Sequence, residues 1–244
     1  MILNGYSIMN LITLETVGST NDYCMEHPEI LSSPGTVIKA IDQTKGRGRH
    51  SKSWSFTRGK DIAFSLIHHP DCAIEDISII TVLTGIAIRR ALYIITGLDF
   101  TIKWPNDILH EGKKICGILV ETAPSRTDAV LVIGIGINTN SDTQNTFPGA
   151  VSLKSITGEE YDIDALIEAV VIEVTAILTP MRLDDTQIAE WNSVSNIIGR
   201  NVSFSGSDSI LTGIVSGIDK HGALVILTPD GEEVHYSGEI DYAG

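Results

Sequence analysis

The chain has 244 residues and sets 17 lysines and arginines against 31 aspartates and glutamates, a formal net charge of −14 on an otherwise ordinary globular composition. So acidic a surface excludes binding DNA or an anionic membrane over a broad face, because such binding neutralises many phosphates with Lys and Arg. The length allows one large domain with a well-buried core and a small appendage. Cys24, Cys72 and Cys116, odd in number and lacking a C-x-x-C pair, fit a reduced, cytoplasmic setting rather than disulfide, zinc or redox work.

No Lys or Arg precedes Lys39, so the charged start of a signal peptide is not expected. Residues 11–16 read as a strand, and Ser19-Thr20-Asn21-Asp22 fits the capping pattern of a helix that ends before Pro28. Thr36 to Asp42 is a second strand, which delivers the loop Gln43-Thr44-Lys45-Gly46-Arg47-Gly48-Arg49-His50-Ser51-Lys52-Ser53-Trp54. From Lys45 to Lys60 six Lys or Arg side chains occur with no acidic residue between them. Gly46 and Gly48 allow unusual dihedrals, so the loop can close on an anion, and polyphosphates are the best-matched guests. A solvated basic loop is the competing reading.

Asp61 to His68 follows as a third strand. Glu75 and Asp76 favour a helix start, and Ile80, Leu83, Ala87, Ala91 and Ile94 recur at helical spacing until Gly97. The apolar run from Ile79 to Ile95 is broken by Arg89 and Arg90 and reads as too short to span a bilayer. Thr101 to Lys103 is a short strand stopped by Trp104-Pro105, and residues 108–110 and 114–121 form a hairpin.

Ala129 to Asn138 is the strongest strand pattern. Alternation puts Gly134, Gly136 and Asn138 on one side and Ile133, Ile135 and Ile137 on the other. A bare strand face implies close approach of something flat or of another backbone, or else a bulge or tight helix crossing. Helices are expected from Ile163 to Leu178, ended by Pro180, and from Asp184 to Val194. Beyond Asn196, short segments separated by Ser-Gly-Ser, Lys-His-Gly and Pro-Asp-Gly read as a small barrel of about five strands. The expected division is residues 1–197 and 198–244.

Ser19-Thr20-Asn21, the basic loop, Lys103-Trp104-Pro105-Asn106-Asp107, Lys114-Ile115-Cys116-Gly117-Ile118-Leu119-Val120-Glu121 and Gly134-Ile135-Gly136-Ile137-Asn138 together resemble the biotin protein ligases. The likeness covers almost the whole chain, including Gly217 to Leu224 in the small C-terminal barrel. It implies an α/β catalytic domain with a mixed sheet flanked by helices, an SH3-like barrel, and a two-step reaction. Biotin and ATP, with Mg²⁺ as its counter-ion, give biotinyl-5′-AMP, which acylates a lysine of a biotin carboxyl carrier protein. The resemblance also implies a possible homodimer through a sheet edge.

By motif position, Gly46, Arg47, Gly48 and Arg49, with Gln43 upstream, wrap biotin's acyl and phosphate region. Ser19, Thr20 and Asn21 meet the ureido ring, Gly117 lies in the biotin site, and Lys114 bridges carboxylate and α-phosphate. Lys114 and Arg49 are the catalytic candidates. ATP contacts fall to Arg47, Arg49, Lys52, Trp54, Asn106, Asp107, Lys114, Gly136 and Asn138. No dedicated protein metal site is expected, because Mg²⁺ on a nucleotide takes much of its coordination from phosphates and water.

Several of these residues also have plainer readings. Ser19 suits a helix cap, Lys114 an exposed strand start, and Trp104 a core anchor. Ser51 and Lys52 stand where the family commonly has glycine and arginine. Serine reaches positive φ only at a cost and lysine forms no bidentate fork, so adenylate retention is in question. Some relatives carry an N-terminal DNA-binding domain; only about ten residues precede the first strand here, so repression is not expected. The rivals are a lipoate or octanoate ligase or acyltransferase, for which Cys116 would serve as nucleophile, and a non-catalytic biotin-binding module.

Overall fold

A computed structural model describes residues 10–70, 77–123, 129–143, 148–180, 182–206 and 210–242. Its elements, in chain order, are β1 (Asn10–Leu14), α1 (Thr20–Glu26), α2 (Pro28–Leu31), β2 (Thr36–Ala40), β3 (Ile62–His68), α3 (Ile77–Thr96), β4 (Thr101–Lys103), β5 (Asp107–His110), β6 (Lys113–Ala123) and β7 (Val130–Ile137). Then come α4 (Leu153–Thr157), α5 (Ile163–Leu178), α6 (Asp185–Val194), β8 (Asn201–Ser205), β9 (Ile210–Ile218), β10 (Leu224–Thr228), β11 (Gly231–His235) and β12 (Glu239–Tyr242). A seven-stranded sheet runs β1-β2-β3-β7-β6-β5-β4, and a five-stranded one runs β11-β10-β9-β8-β12. Only the β1–β2 pairing is parallel in the first sheet, and the second is antiparallel throughout. This is the mixed α/β architecture with a small β appendage that the sequence implies.

The alternation along β7 explains how the first sheet serves two purposes. Leu131, Ile133, Ile135 and Ile137 join the core that α3 and α5 cover, while Val130 and Val132 join a second cluster with Cys24, Leu31, Ile38 and Ile67 on the opposite face. On that second face, β7 continues into Gly134 and Gly136, and the apolar cover stops. Register carries the bareness sideways: Gly136 pairs with Ala63 on β3 and with Gly117 on β6. The result is a trough of small residues in the middle of the sheet, walled by helix α1 and open on the side of the second sheet.

Some expectations change. Helix α3 spans 20 residues and is therefore long enough by length to cross a bilayer, contrary to the reading of its apolar run; most of its side chains are buried in the core instead. Glu75, Asp76 and Cys72 lie outside the described residues. Ser19 is the N-cap of α1, yet its side chain makes no cap hydrogen bond. Helices α5 and α6 do carry caps: Asp162 accepts from the backbone of Asp164 and Ala165, and Asp184 forms a capping box with Gln187. The short helices α2 and α4 had no periodic signal, being about one turn each.

Trp104 fastens the second sheet to the first. It is 1% exposed, its Nε1 donates to the Gly222 carbonyl at 3.1 Å, and its ring lies 6.3 Å from that of Phe204. The core-anchor reading of this residue therefore holds. With β8 held in this way, β12 runs along the rim of the trough.

Candidate functional site

The trough is the floor of a cleft with a polar end. Ser19, Thr20 and Asn21, all nearly buried, enter from the start of α1. The Thr20 amide donates to Gln43 Oε1 at 3.0 Å, and Asn21 Nδ2 donates to the Leu119 carbonyl at 3.2 Å and to Glu121 Oε2 at 2.8 Å. Beneath them, Ser65 Oγ lies 2.6 Å from Asn21 Oδ1 and 2.8 Å from Thr20 Oγ1. Since Asn21 commits its nitrogen to two acceptors, its oxygen must accept from Ser65, which fixes the amide's orientation. Gly134 makes room for this group, because a methyl there would meet Asn21 Oδ1 at 2.4 Å.

The basic loop folds over the floor as a narrow turn. Trp54 N donates to the Gly46 carbonyl at 2.8 Å and Gly48 N to the Lys52 carbonyl at 2.7 Å. The positive φ values fall on His50 (51°) and Ser51 (60°), not on the glycines. Gly46 is needed for space, since a side chain there would meet the Trp54 carbonyl at 2.6 Å; this corrects the dihedral argument for Gly46 and Gly48. Ser51 does adopt the left-handed conformation at which serine is disfavoured.

The cations of the loop divide. Arg47 forks onto Glu121, with Nη1 to Oε1 at 3.0 Å and Nη2 to Oε2 at 2.7 Å, and also reaches Asp22. Lys52 Nζ reaches Glu239 on β12 at 2.6 Å. Arg49 is directed at the rim, where its Nη1 lies 3.5 Å from the Gly238 carbonyl, and partial burial pushes its pKa below the ordinary guanidinium value while Asp107 and Glu239 oppose the shift. A half-buried guanidinium beside an open cleft is suited to an incoming anion.

At the opposite end of the floor, Lys114 Nζ pairs with Asp107 Oδ1 at 2.6 Å and lies 5.4 Å from the centroid of the Trp54 ring. Gly117 lies under both side chains, and Gly136 under the indole. Asn106 donates to the Ile118 carbonyl at 2.8 Å and lines the same end. The structure thus brings Ser19, Thr20, Asn21, Gln43, Arg47, Gly48, Arg49, Lys52, Trp54, Asn106, Asp107, Lys114, Gly117 and Gly136 to one cleft.

It leaves two of the named residues aside. Gly46 lines the outer side of the loop, and Asn138 donates to the backbone carbonyls of Lys114 and Val151 at 3.3 and 3.2 Å, which braces the strand end instead of facing the cleft. Among the described residues no three His, Cys, Asp or Glu side chains gather as a metal-binding group. Cys116 is fully buried, and burial pushes its thiol far above the ordinary 9.0, so it has neither the access nor the ionisation of a nucleophile.

Sequence reasoning missed Ser65, Glu121, Asp22, Gly238 and Glu239. Ser65 is the one hydroxyl in the apolar strand β3, and Glu121 closes a quoted motif; both were visible in principle. Nothing local marks Gly238 and Glu239, which arrive from the other sheet.

Comparison with known proteins follows the same lines. The biotin/lipoate A/B protein ligase family profile matches residues 14–138, and the biotin protein ligase C-terminal domain profile matches residues 197–242. The bifunctional ligase/repressor BirA of Bacillus spizizenii is 32% identical over 247 residues, covering 95% of this chain and 74% of that protein. The biotin–[acetyl-CoA-carboxylase] ligase of Paracoccus denitrificans is 28% identical over 243 residues, covering 95% of this chain and 100% of that one. The biotin protein ligase of Aquifex aeolicus, solved in complex with biotin and ATP, superposes with a TM-score of 0.83 at 29% identity, over 96% of this chain and 98% of the other.

Proposed function

Because the chain belongs to the biotin/lipoate A/B protein ligase family, we propose that it activates biotin with ATP and transfers it to one lysine of a biotin carboxyl carrier protein. The observation that carries this reading is the meeting of Arg49 and Lys114 over one bare floor whose far end is lined by Ser19, Thr20, Asn21 and Gln43. Two anions must come together there, and fixed positive charge between them lowers the barrier. The relatives' names point to acetyl-CoA carboxylase as the source of the carrier domain.

In the first step a biotin carboxylate oxygen attacks the α-phosphorus, the bond to the bridging oxygen breaks, and pyrophosphate leaves with the electron pair. The ureido ring, whose donors and acceptors must be met, suits the Ser19–Asn21 end with Gln43. Lys114 then exchanges Asp107 for the carboxylate and phosphate, and Arg49 holds the phosphate oxygens. The carboxylates Asp107, Asp22, Glu121 and Glu239 keep the cations in place until anions arrive. Trp54 and the floor at Gly136 border the nucleotide. Asn106 and Asp107 would offer oxygens to the Mg²⁺ counter-ion of the triphosphate, which would neutralise phosphate charge there. In the second step the carrier lysine, having lost a proton, attacks the acyl carbon, and AMP departs.

The division of labour between residues 1–197 and 198–244 belongs to the same proposal, supported by β12 lining the cleft rim. The test is incubation with ATP and labelled biotin or, in parallel, labelled lipoate, followed by a purified carrier domain. Biotin-dependent pyrophosphate release and label on the carrier are expected. Label from lipoate alone would transfer the assignment to the lipoate enzymes. Biotin uptake without pyrophosphate release would leave a binding module.

A further inference from the structure

Ser65 lies fully buried on β3, paired with Gly134 of β7, and takes no part in either chemical step. A serine hydroxyl carries one proton. Asn21 spends its amide protons on the Leu119 carbonyl and on Glu121, so the Ser65 proton goes to Asn21 Oδ1 at 2.6 Å. Thr20 Oγ1, 2.8 Å from the same Ser65 oxygen, must then be the donor in that contact. The other acceptor within reach of the Thr20 proton, Gln43 Oε1, is 3.4 Å away and already accepts from the Thr20 amide at 3.0 Å. Turning the proton there would leave the Thr20 and Ser65 oxygens facing each other with no proton between them. Cys24 also hydrogen-bonds Ser65, but sulfur accepts weakly and does not displace Asn21.

Thr20 and Asn21 are each 3% exposed, which leaves water little part in this chain of hydroxyls, while Thr20 and Gln43 both line the cleft. We infer that Ser65 is a positioning residue that sets specificity. By drawing the Thr20 proton inward, it leaves only lone pairs of Thr20 Oγ1 for the cleft, so that this point admits an N–H donor and rejects an acceptor. The ligand rests on the functional reading, which places the ureido ring with its two N–H groups at this end; the direction of the Thr20 proton does not depend on it. A dithiolane ring, which has no N–H, would bring nothing to donate.

Two cyclic carbamates, each being biotin with one ureido N–H replaced by oxygen, put an acceptor where the ring has a donor. In calorimetry, the wild type should bind at least one of them about a hundred-fold more weakly than biotin, because opposed lone pairs add to the lost hydrogen bond. In Ser65→Ala the Thr20 hydroxyl is free to turn and donate, so the ratio should fall to about ten-fold. A hydroxyl that only supports the fold would weaken biotin and carbamate alike and leave the ratio unchanged. Thr20→Val, whose side chain has neither polar proton nor lone pair, should lower the ratio by itself. Adding Ser65→Ala to it should change the ratio no further.

Neutron diffraction from the deuterated, ligand-free protein gives a second reading, with the Thr20 deuteron expected on the line to Ser65. A deuteron on the line to Gln43 overturns the inference, as does equal binding of biotin and both carbamates by the wild type, or a wild-type ratio in Ser65→Ala or Thr20→Val. Should Ser65→Ala fail to fold, Thr20→Val and the neutron map carry the test. A wild-type protein that binds neither biotin nor the carbamates overturns the functional reading instead, and the neutron map still decides the direction of the proton.

Discussion

The Trp54 indole rests directly on the backbone of Gly136: a methyl group at that position would come within 2.4 Å of ring atom Cε2 and 2.6 Å of Nε1. Gly136 has no positive φ, so space alone requires glycine. Gly136→Ala should lift the ring off the floor and out of reach of Lys114. The expected result is a KM for ATP raised about ten-fold, the scale of an overpacked contact, with far-UV circular dichroism unchanged and tryptophan emission shifted. Unaltered emission and KM would remove Trp54 from the nucleotide end.

Lys114→Ala removes the charge placed between the reacting groups. Biotin-dependent pyrophosphate release should fall by about a hundred-fold or more, as for other preorganised groups that meet transition-state charge, while the biotin Kd changes far less. Pyrophosphate release at the wild-type rate would refute the role given to Lys114.

Arg49→Gly should leave adenylation partly intact but release biotinyl-5′-AMP at least about ten-fold faster, since a charged donor to the phosphate is lost. Filtration of the loaded enzyme measures the escape directly. Retention equal to wild type would assign the phosphate to other donors.

Alkaline pH should destabilise the protein through its buried thiols. Cys24 is fully buried and pushed up to about 12 from the ordinary 9.0, and Cys116 is pushed higher still, both mainly by desolvation. The folded state therefore holds protons that the unfolded chain releases, so stability falls as pH rises above the unfolded value. The slope is about 1.4 kcal/mol per pH unit for each thiol. Denaturant midpoints measured across this range should fall less steeply for Cys116→Ala than for wild type. The same variant should keep full ligase activity.

The parts of the site that local pattern encodes were legible in advance. Strict alternation on β7 announced a bare face at Gly134 and Gly136, because side-chain direction in a strand follows from sequence parity alone. Asn138 shares that parity but lies just past the strand, where the chain turns and the amide finds backbone carbonyls. Charge pattern marked the basic loop, yet its partners Asp22, Glu121 and Glu239 come from other elements, and an ion pair across 74 or 187 positions leaves no local trace. The strain in the loop was misplaced for a similar reason. Glycine permits positive φ without requiring it, and here the turn puts that conformation on His50 and Ser51.

The anchorage at Trp104 has a thermodynamic consequence. Its neighbours in a single hydrophobic cluster include Phe204, Val215, Leu224 and Ile226 of the smaller sheet together with Ile118 and Ile135 of the larger one and Ile86 of α3. Melting should accordingly appear as one calorimetric transition with matching van't Hoff and measured enthalpies. Cutting the chain between the sheets would strip a tryptophan-centred interface, leaving fragments that aggregate rather than two autonomous modules.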